Sequence, residues 1–270
     1  QSGIIKNRFD FKMYVKLNGL QTHLKAGYFK LSPSYSLKEN IRILVEDKGI
    51  ADQVKITIPE GYQLIEIADL LDRKGIVFKQ NFMDYVNNKA KAVFVRKYPF
   101  LADCPTQNLE GFFFPSTYYF SKAQDYRDIV DCFFRHFKEE IMPVWENAAP
   151  LVEMPKGRFG FYDIVKIASI IEKEAMVRDE MPIIASVYYN RLHQRMPLGA
   201  DPTIVYGLGK TYKSMVTYED LKKDSPYNTY KYTGFPPTPI ASFGVKAFEA
   251  ALNPKDTDYL FFVATKKKDG

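Results

Sequence analysis

Two glutamates inside an apolar stretch, Glu172 and Glu174, are the residues best placed to do chemistry. Ile167, Ile170 and Ile171 precede Glu174 at the spacing that puts side chains on one helical face. Glu172 points about 160° away from that face. Burial among aliphatic side chains disfavours a charged carboxylate and raises its pKa. The spacing therefore predicts that Glu174 stays protonated near neutral pH, as a general acid requires.

A structural interpretation of Glu174 competes with the functional one. In that interpretation the side chain is partly exposed and pairs with Lys173 or Arg178. The apolar face favours the functional interpretation, because a buried and unpaired carboxylate is costly and is seldom kept without a role.

Polar and aromatic side chains before and after these glutamates form a second set of candidates. Pro- and Tyr-rich loops, such as those within residues 197–243, are often binding surfaces. Aromatic rings can stack on sugars, and amide or hydroxyl groups can bond to sugar hydroxyls. Ion pairing, helix capping and core packing are the structural alternatives. The candidates for substrate binding are Glu110, Asn190, Asp201, Thr203, Tyr206, Tyr227 and Asn228.

The composition is that of a folded protein with a modest basic excess. Hydrophobic residues make up 46% of the 270 residues, and 38 basic against 32 acidic residues give a net charge of +6. This charge suits an anionic partner such as nucleic acid, a membrane surface or a cell-wall polymer, and also occurs without one. The basic residues form no stripe and no nucleic-acid-binding signature is present, so we expect no nucleic-acid partner.

No sequence pattern indicates a metal or a cofactor. The two cysteines, Cys104 and Cys132, lie far apart, and the sequence has no His-Glu-x-x-His, Cys-x-x-Cys or Gly-rich phosphate loop. We expect unpaired thiols, with a disulfide in an oxidising compartment as the alternative, and we expect no metal site and no cofactor. No apolar run reaches the roughly 20 residues that span a bilayer. Because the chain starts at Gln1, we expect it to begin inside a longer polypeptide.

The periodicity predicts an α+β fold. The first part reads as a strand within residues 9–31, a helix over 36–47 opened by a Ser36–Glu39 capping box, a strand over 54–58, and helices over 64–71 and 81–87. Residues 96–106 read as a boundary. The second part reads as helices over 125–147, from Asp163 to 177, from Pro182, and over 244–252, an aromatic strand pair over 110–120, and a buried strand over 259–264.

A series of motifs occurs in order over most of the chain. They include Ile58-Pro-Glu-Gly-Tyr, Glu110-Gly-Phe-Phe-Phe-Pro-Ser-Thr-Tyr, Ala168-Ser-Ile-Ile-Glu-Lys-Glu-Ala, Tyr189-Asn-Arg-Leu, Asp201-Pro-Thr-Ile-Val-Tyr-Gly, Tyr227-Asn-Thr-Tyr and Gly234-Phe-Pro-Pro. In these motifs the chain resembles the YceG-like family of endolytic peptidoglycan lytic transglycosylases. The family's catalytic glutamate aligns with Glu174.

The resemblance implies a fold and an activity. It implies an N-terminal region, residues 1–95, with a small LysM-like α/β module at about 53–90, and a larger mixed α+β catalytic domain at 96–270, truncated at its C-terminus. It implies cleavage of the β-1,4 bond between N-acetylmuramic acid and N-acetylglucosamine in peptidoglycan, leaving 1,6-anhydro ends. A non-catalytic peptidoglycan-binding module is the alternative.

The resemblance also implies a location and partners. Family members carry a single N-terminal anchor in the cytoplasmic membrane, face the periplasm or cell wall, and work beside the cell-wall synthases. Three residues depart from the family pattern: Ser116 replaces Asp, Thr238 replaces Gly and Phe243 replaces Pro. We therefore expect the loop around residues 238–243 to have its own shape.

Overall fold

The computed structural model describes residues 8–24, 29, 31–32, 35–46, 53–121, 124–148, 159–210 and 216–263. The chain forms two compact units. The first comprises Gln1–Val54 with Tyr119–Lys122, and the second comprises Lys55–Tyr118 with Ala123–Gly270. The position between residues 95 and 96, where the sequence suggests a boundary, lies inside the second unit.

The first unit contains helices α1 (Arg8–Leu17) and α2 (Leu37–Glu46). The strand expected within residues 9–31 is wrong where the structure describes it, because α1 occupies its start. Phe11, Tyr14 and Val15 are the better buried residues of this segment, and their spacing is helical rather than alternating.

Helix α2 confirms the predicted capping box at its start. The Ser36 amide donates to Glu39 Oε2 at 2.7 Å, and the Glu39 amide donates to Ser36 Oγ at 3.2 Å. Two otherwise unpaired amides at the helix start are satisfied in this way.

Two strands and three helices form the next part of the chain. They are β1 (Gln53–Thr57), α3 (Leu64–Arg73), α4 (Lys79–Tyr85), α5 (Lys91–Phe94) and β2 (Thr117–Ser121). A π-helical turn, Val86–Ala90, joins α4 to α5, and a 3-10 helix spans Pro99–Asp103. Strands β1 and β2 pair in a two-stranded sheet. Of the aromatic strand pair expected over 110–120, only β2 forms a strand.

The rest of the second unit is helical. It contains α6 (Tyr126–Ala148), α7 (Phe161–Glu174), a 3-10 helix (Arg178–Glu180), α8 (Met181–His193), α9 (Asp201–Gly207), α10 (Tyr218–Lys222) and α11 (Val245–Leu252). Helix α7 packs against both α8 and α11, and α11 also packs against α6. The fold is therefore mixed, helix-rich and α+β, with α7 at its centre.

An aromatic core supports α7, whose Phe161 lies 6.3 Å from Phe137 between ring centroids. Phe112 lies 5.2 Å from Phe137 between ring centroids, and Phe137 lies 6.1 Å from Phe243. Phe243 is 1% exposed and stacks on Phe248 of α11 with an interplanar angle of 13°. Phe243 thus fills the core between Phe137 and Phe248 of α11.

The segment from Tyr259 to Val263 is not the buried strand that its sequence suggests. It is irregular, and Tyr259, Phe261 and Val263 are 58%, 70% and 86% exposed. An apolar run forms a strand only when another strand pairs with it, and none does so here among the described residues.

The lengths of the described helices and the state of the two cysteines complete the description of the fold. Neither α6, the longest helix, nor any other helix described is long and apolar enough to cross a membrane. Cys104 is buried, Cys132 is half-buried, and both are free thiols.

Candidate active site

Glu174 is the last residue of helix α7. Ile167, Ile170 and Ile171 are fully buried on its inner face, as the spacing predicts. Ala175, which follows, has extended backbone angles and ends the helix three residues earlier than expected. Glu174 is half-buried at this end. Glu174 is thus held at the end of a regular helix and is only partly removed from solvent.

The environment of Glu174 favours its protonated form. Burial, and to a lesser extent the negative charge of Asp201, raises the pKa of the Glu174 carboxyl to about 7. The Tyr188 hydroxyl and the Arg191 guanidinium act in the opposite direction. A carboxyl group with this pKa can give up a proton and take one back near neutral pH.

Tyr188 and Arg191 lie three residues apart on α8, so both face the same side of that helix. The Tyr188 hydroxyl lies beside the Glu174 carboxyl, although its geometry falls short of a standard hydrogen bond. Arg191 is fixed by donating to the carbonyls of Leu260 at 2.7 Å and Leu198 at 2.5 Å. The cation is therefore held in place rather than mobile.

Asp201 and Tyr230 form the outer part of the site. Asp201 is exposed at the first position of α9, and the Tyr230 hydroxyl donates to its Oδ1 at 2.7 Å. Gly199 packs against the ring, since a Cβ there would lie 3.6 Å from Tyr230 Cε1 and 2.9 Å from Arg191 Nη1. The Tyr230 side chain is fixed at its edge and its hydroxyl, yet the residue stays 42% exposed.

Glu172 has a different role from Glu174 despite its similar chemistry. Its Oε2 accepts a hydrogen bond from the Gly244 amide at 3.0 Å. Burial raises its pKa, while that hydrogen bond lowers it. The carboxyl group of Glu172 is thus engaged with the backbone before α11.

Glu110 is buried and holds the start of α3. Its two carboxyl oxygens accept from the Leu64 amide at 2.9 and 3.1 Å, and the residue is 3% exposed. Burial raises its pKa to about 8, although the bonds from Leu64, Tyr206 and Gly111 lower it. The predicted substrate contact of Glu110 would need a ligand to reach this interior position.

Tyr206 and Tyr227 form a cluster with Glu110. Their ring centroids are 5.0 Å apart, and Asn108 Nδ2 donates to the Tyr206 hydroxyl at 3.2 Å. The Tyr227 hydroxyl and Thr238 Oγ1 lie 2.8 Å apart. Thr238 therefore fixes one ring of this cluster.

Thr203 and Asn228 lie in the interior, exposed by 0% and 1%. Thr203 Oγ1 lies 2.8 Å from Thr229 Oγ1 and donates to the Ala200 carbonyl at 2.7 Å. Asn228 Nδ2 donates to the carbonyls of Leu221 and Lys223 at 2.9 and 2.8 Å. Both side chains thus hold the surrounding loops, and their contact with substrate stays a prediction.

Asn190 is also engaged with the backbone. Its amide donates to the carbonyls of Thr257 at 2.7 Å and Tyr259 at 2.9 Å. It thereby ties the irregular C-terminal segment to α8, close to where Arg191 binds the same segment.

Of the predicted residues, the structure brings Asp201 into the electrostatic surroundings of Glu174. It adds Tyr188, Arg191 and Tyr230, none of which is among the predicted catalytic or substrate-binding residues. The helical spacing of Tyr188 and Arg191 was a usable signal. The approach of Tyr230 to Asp201 joins residues 29 positions apart, and no local pattern predicts it.

The arrangement can perform acid–base chemistry beside an exposed aromatic ring. Across the described parts of the chain, no group of three His, Cys, Asp or Glu side chains is arranged to hold a metal ion. The groups of the site that can take part in acid–base chemistry are the Glu174 carboxyl and its neighbours.

Comparison with known proteins gives a consistent assignment. The model of the YceG-like family matches residues 1–270. A protein of Bacillus subtilis (strain 168) named endolytic murein transglycosylase is 35% identical over 278 residues, which cover 98% of this chain and 73% of that protein. A protein of Streptococcus pneumoniae (strain D39) with the same name is 31% identical over 288 residues, covering 98% of this chain and 50% of that one.

A solved structure agrees with these sequence matches. The crystal structure of a yceG-like protein from Listeria monocytogenes is 35% identical and has a TM-score of 0.71. The match covers 97% of this chain and 86% of the other. On the evidence of the motifs, the fold and these matches, the chain belongs to the YceG-like family.

Proposed function

We propose that this protein is an endolytic murein transglycosylase with Glu174 as its acid and base. The observation that carries the proposal is the half-buried Glu174 carboxyl at the end of α7, with a pKa near 7. The names of the relatives from Bacillus and Streptococcus support the reaction class. The bond cleaved is the β-1,4 linkage from N-acetylmuramic acid to N-acetylglucosamine within a glycan strand.

The first step is general acid catalysis. Protonated Glu174 transfers its proton to the glycosidic oxygen as the bond from that oxygen to C1 breaks. The developing positive charge at C1 is stabilised by the N-acetyl group of the same sugar. Acid–base assistance of this kind contributes roughly 10²- to 10⁴-fold to the rate.

The second step returns the glutamate to its starting state. The Glu174 carboxylate takes the proton of the C6 hydroxyl, and O6 forms a bond to C1. The product is a 1,6-anhydro ring, and no water is consumed. One carboxyl group suffices for this cycle, in contrast to the pair of carboxyl groups in most glycoside hydrolases.

The neighbours of Glu174 support both steps. Asp201 disfavours the charged form before cleavage, and Arg191 stabilises the carboxylate that cleavage leaves behind. The exposed ring of Tyr230 offers a surface on which a sugar can stack. Glu110, Asn190, Thr203 and Asn228 act through the loops that they hold.

The role of Glu174 as acid and base can be tested by one substitution and a matched control. We expect Glu174→Gln to lose at least 10²-fold in activity while keeping its fold, because the amide cannot donate and recover a proton in this way. Glu172→Gln, on the same helix, keeps an oxygen for the Gly244 amide and should retain most activity.

The measurement is digestion of purified sacculi followed by mass spectrometry of the released glycans, with circular dichroism to check the fold. Full turnover by Glu174→Gln would overturn the assignment. Equal losses in both variants would point to a general effect on the end of α7. Glycan binding without cleavage by the wild type would support the alternative, a non-catalytic peptidoglycan-binding module.

We further propose that residues 53–90 form a LysM-like module. The order of β1, α3 and α4 supports this proposal, since a strand followed by two helices is what the sequence suggests for that module. We also propose that the protein is held by one N-terminal segment in the cytoplasmic membrane, faces the periplasm or cell wall, and works beside cell-wall synthases. The family resemblance supports these proposals.

A further inference from the structure

Lys173 lies between Glu172 and Glu174 in the sequence, and its side chain contacts a turn of the backbone. Its Nζ donates to the Gly61 carbonyl at 2.9 Å. Burial lowers the pKa of the Lys173 ammonium, while the nearby Glu66, Glu172 and Glu110 carboxylates raise it. A half-buried cation is therefore anchored to one turn of the backbone, residues 59–62, which we call the docking turn.

The docking turn is shaped to receive this side chain. Gly61 has a φ of +78°, in the left-handed region that glycine adopts most readily. A Cβ at Gly61 would lie 3.4 Å from Lys173 Cδ, so the lysine stem packs directly on the glycine. The contact thus combines a hydrogen bond with close packing.

The docking turn is itself fixed to the loop that precedes α11. The Gly61 amide donates to the Ser242 carbonyl at 3.0 Å, and the Ser242 amide donates to the Tyr62 carbonyl at 2.7 Å. Two residues later, the Gly244 amide donates to Glu172 Oε2. Lys173 and Glu172 therefore bind two backbone segments that are bonded to each other.

The segment that follows Glu174 also contacts the docking turn. Arg178 Nη2 lies 2.9 Å from Glu60 Oε2 of the docking turn. Glu174 is consequently flanked by anchored side chains, at positions 172 and 173 before it and at 178 after it. Glu174 itself is the one member of the Glu-Lys-Glu motif whose side chain is not used in this anchoring.

We propose that Lys173 is a positioning residue that, through the docking turn, fixes the orientation of Glu174 toward its substrate. This inference rests on the proposed function of Glu174. It assigns the docking turn, inside the segment proposed as LysM-like, to the support of the catalytic helix. That segment then acts in catalysis as well as in any glycan binding of its own.

Replacing the lysine should affect turnover more than binding. We expect Lys173→Met, which removes the donor but keeps a stem of similar shape, to lower kcat by about 10- to 100-fold with KM changed by less than about threefold. Lys173→Arg should recover part of the loss, because its guanidinium can still donate to the Gly61 carbonyl.

Lys166→Met is the matched control. Lys166 is on the same helix, its side chain is 12% exposed, and it pairs with Asp163 at 3.3 Å rather than with the docking turn. We expect its kcat to stay within about twofold of the wild type, because the contacts that it loses, with Asp163, Tyr162 and Phe235, do not involve the docking turn.

The assay uses soluble, uncrosslinked glycan strands and the full chain, at a temperature at which every variant is folded by circular dichroism. The pH profile is recorded as well. A residue that orients Glu174 without altering its titration should lower the height of the profile and leave its position unchanged.

Hydrogen exchange gives a readout that does not depend on activity. Exchange at the amides of Gly61, Ser242 and Gly244 should become faster in Lys173→Met and stay unchanged in Lys166→Met. Unchanged exchange, a wild-type kcat in Lys173→Met, a loss confined to KM, or a shifted pH profile would each overturn the proposal. An inactive wild type with the predicted exchange pattern would overturn the proposed function while leaving the anchoring intact.

Discussion

Glu174 is distinguished by its surroundings rather than by its residue type. The same helix end carries Glu172, which is equally half-buried but engaged by the Gly244 amide. The helical spacing of the isoleucines was enough to predict the buried face and the raised pKa. The contributions of Asp201 and Arg191 were not predictable in this way, because they come from α9 and α8 and depend on tertiary packing.

The pKa of Glu174 predicts how activity depends on pH. Because the acid must be protonated to cleave the bond, kcat/KM should fall as the pH rises through about 7. In Asp201→Asn the loss of a negative neighbour lowers the Glu174 pKa, so the fall should occur at lower pH. Rates of both proteins on soluble glycan strands between pH 5 and 9 check this. A fall displaced to higher pH in the variant would contradict the account.

Tyr230 is expected to bind the sugar through its ring. Tyr230→Ala should raise KM roughly tenfold, a change of about 1.4 kcal/mol, whereas Tyr230→Phe keeps the ring and should change KM little. Tyr232→Ala is the matched control, because Tyr232 is 48% exposed and its hydroxyl also donates to an aspartate, Asp224, at 2.5 Å. Steady-state kinetics on soluble glycan strands give the KM of each of the three variants. Equal effects at both positions would argue against stacking at Tyr230.

At the scale of elements, local signals predicted the helices well. The Ser36–Glu39 capping box, the apolar face of α7 and Pro182 near the start of α8 are each read from a few adjacent residues. The strand expected from residue 9 failed because alternation and helical spacing coexist there. The strand expected at 259–264 failed because strand formation requires a partner that the local sequence does not specify.

Glu110 connects two elements, and its titration should be visible in stability. Its pKa is raised from 4.5 to about 8 in the folded state, so the folded protein binds the proton more tightly than the unfolded one. Its contribution to stability is therefore lost as the pH rises from about 4.5 to about 8. Glu110→Gln keeps an acceptor for the Leu64 amide and removes this titration.

Urea denaturation of wild type and Glu110→Gln at several pH values isolates this effect, because the other raised carboxyl groups are common to both proteins. The free energy of unfolding should decrease less with rising pH in the variant. Parallel curves would show that the Glu110 carboxyl does not change its protonation over this range.

At the scale of the whole molecule, residues 55–94 belong to the same compact unit as helix α7. Glu110 binds the start of α3, and Lys173 binds the docking turn. Both contacts join residues far apart in sequence, and no local pattern predicts them. The Pro-containing stretch at 96–106 therefore suggested a boundary, whereas it lies inside one compact unit of the structure. Motif order predicted the family, but only the fold shows which motif residues meet.

The fate of water during cleavage tests the central claim most directly. Sacculi digested by the wild-type protein in H₂¹⁸O should release glycans with 1,6-anhydro ends that carry no ¹⁸O, because O6 of the same sugar closes onto C1. Glu174→Gln should release few such ends. Reducing ends that carry one ¹⁸O, detected by mass spectrometry of the wild-type digest, would show that water attacks C1 and would contradict the account.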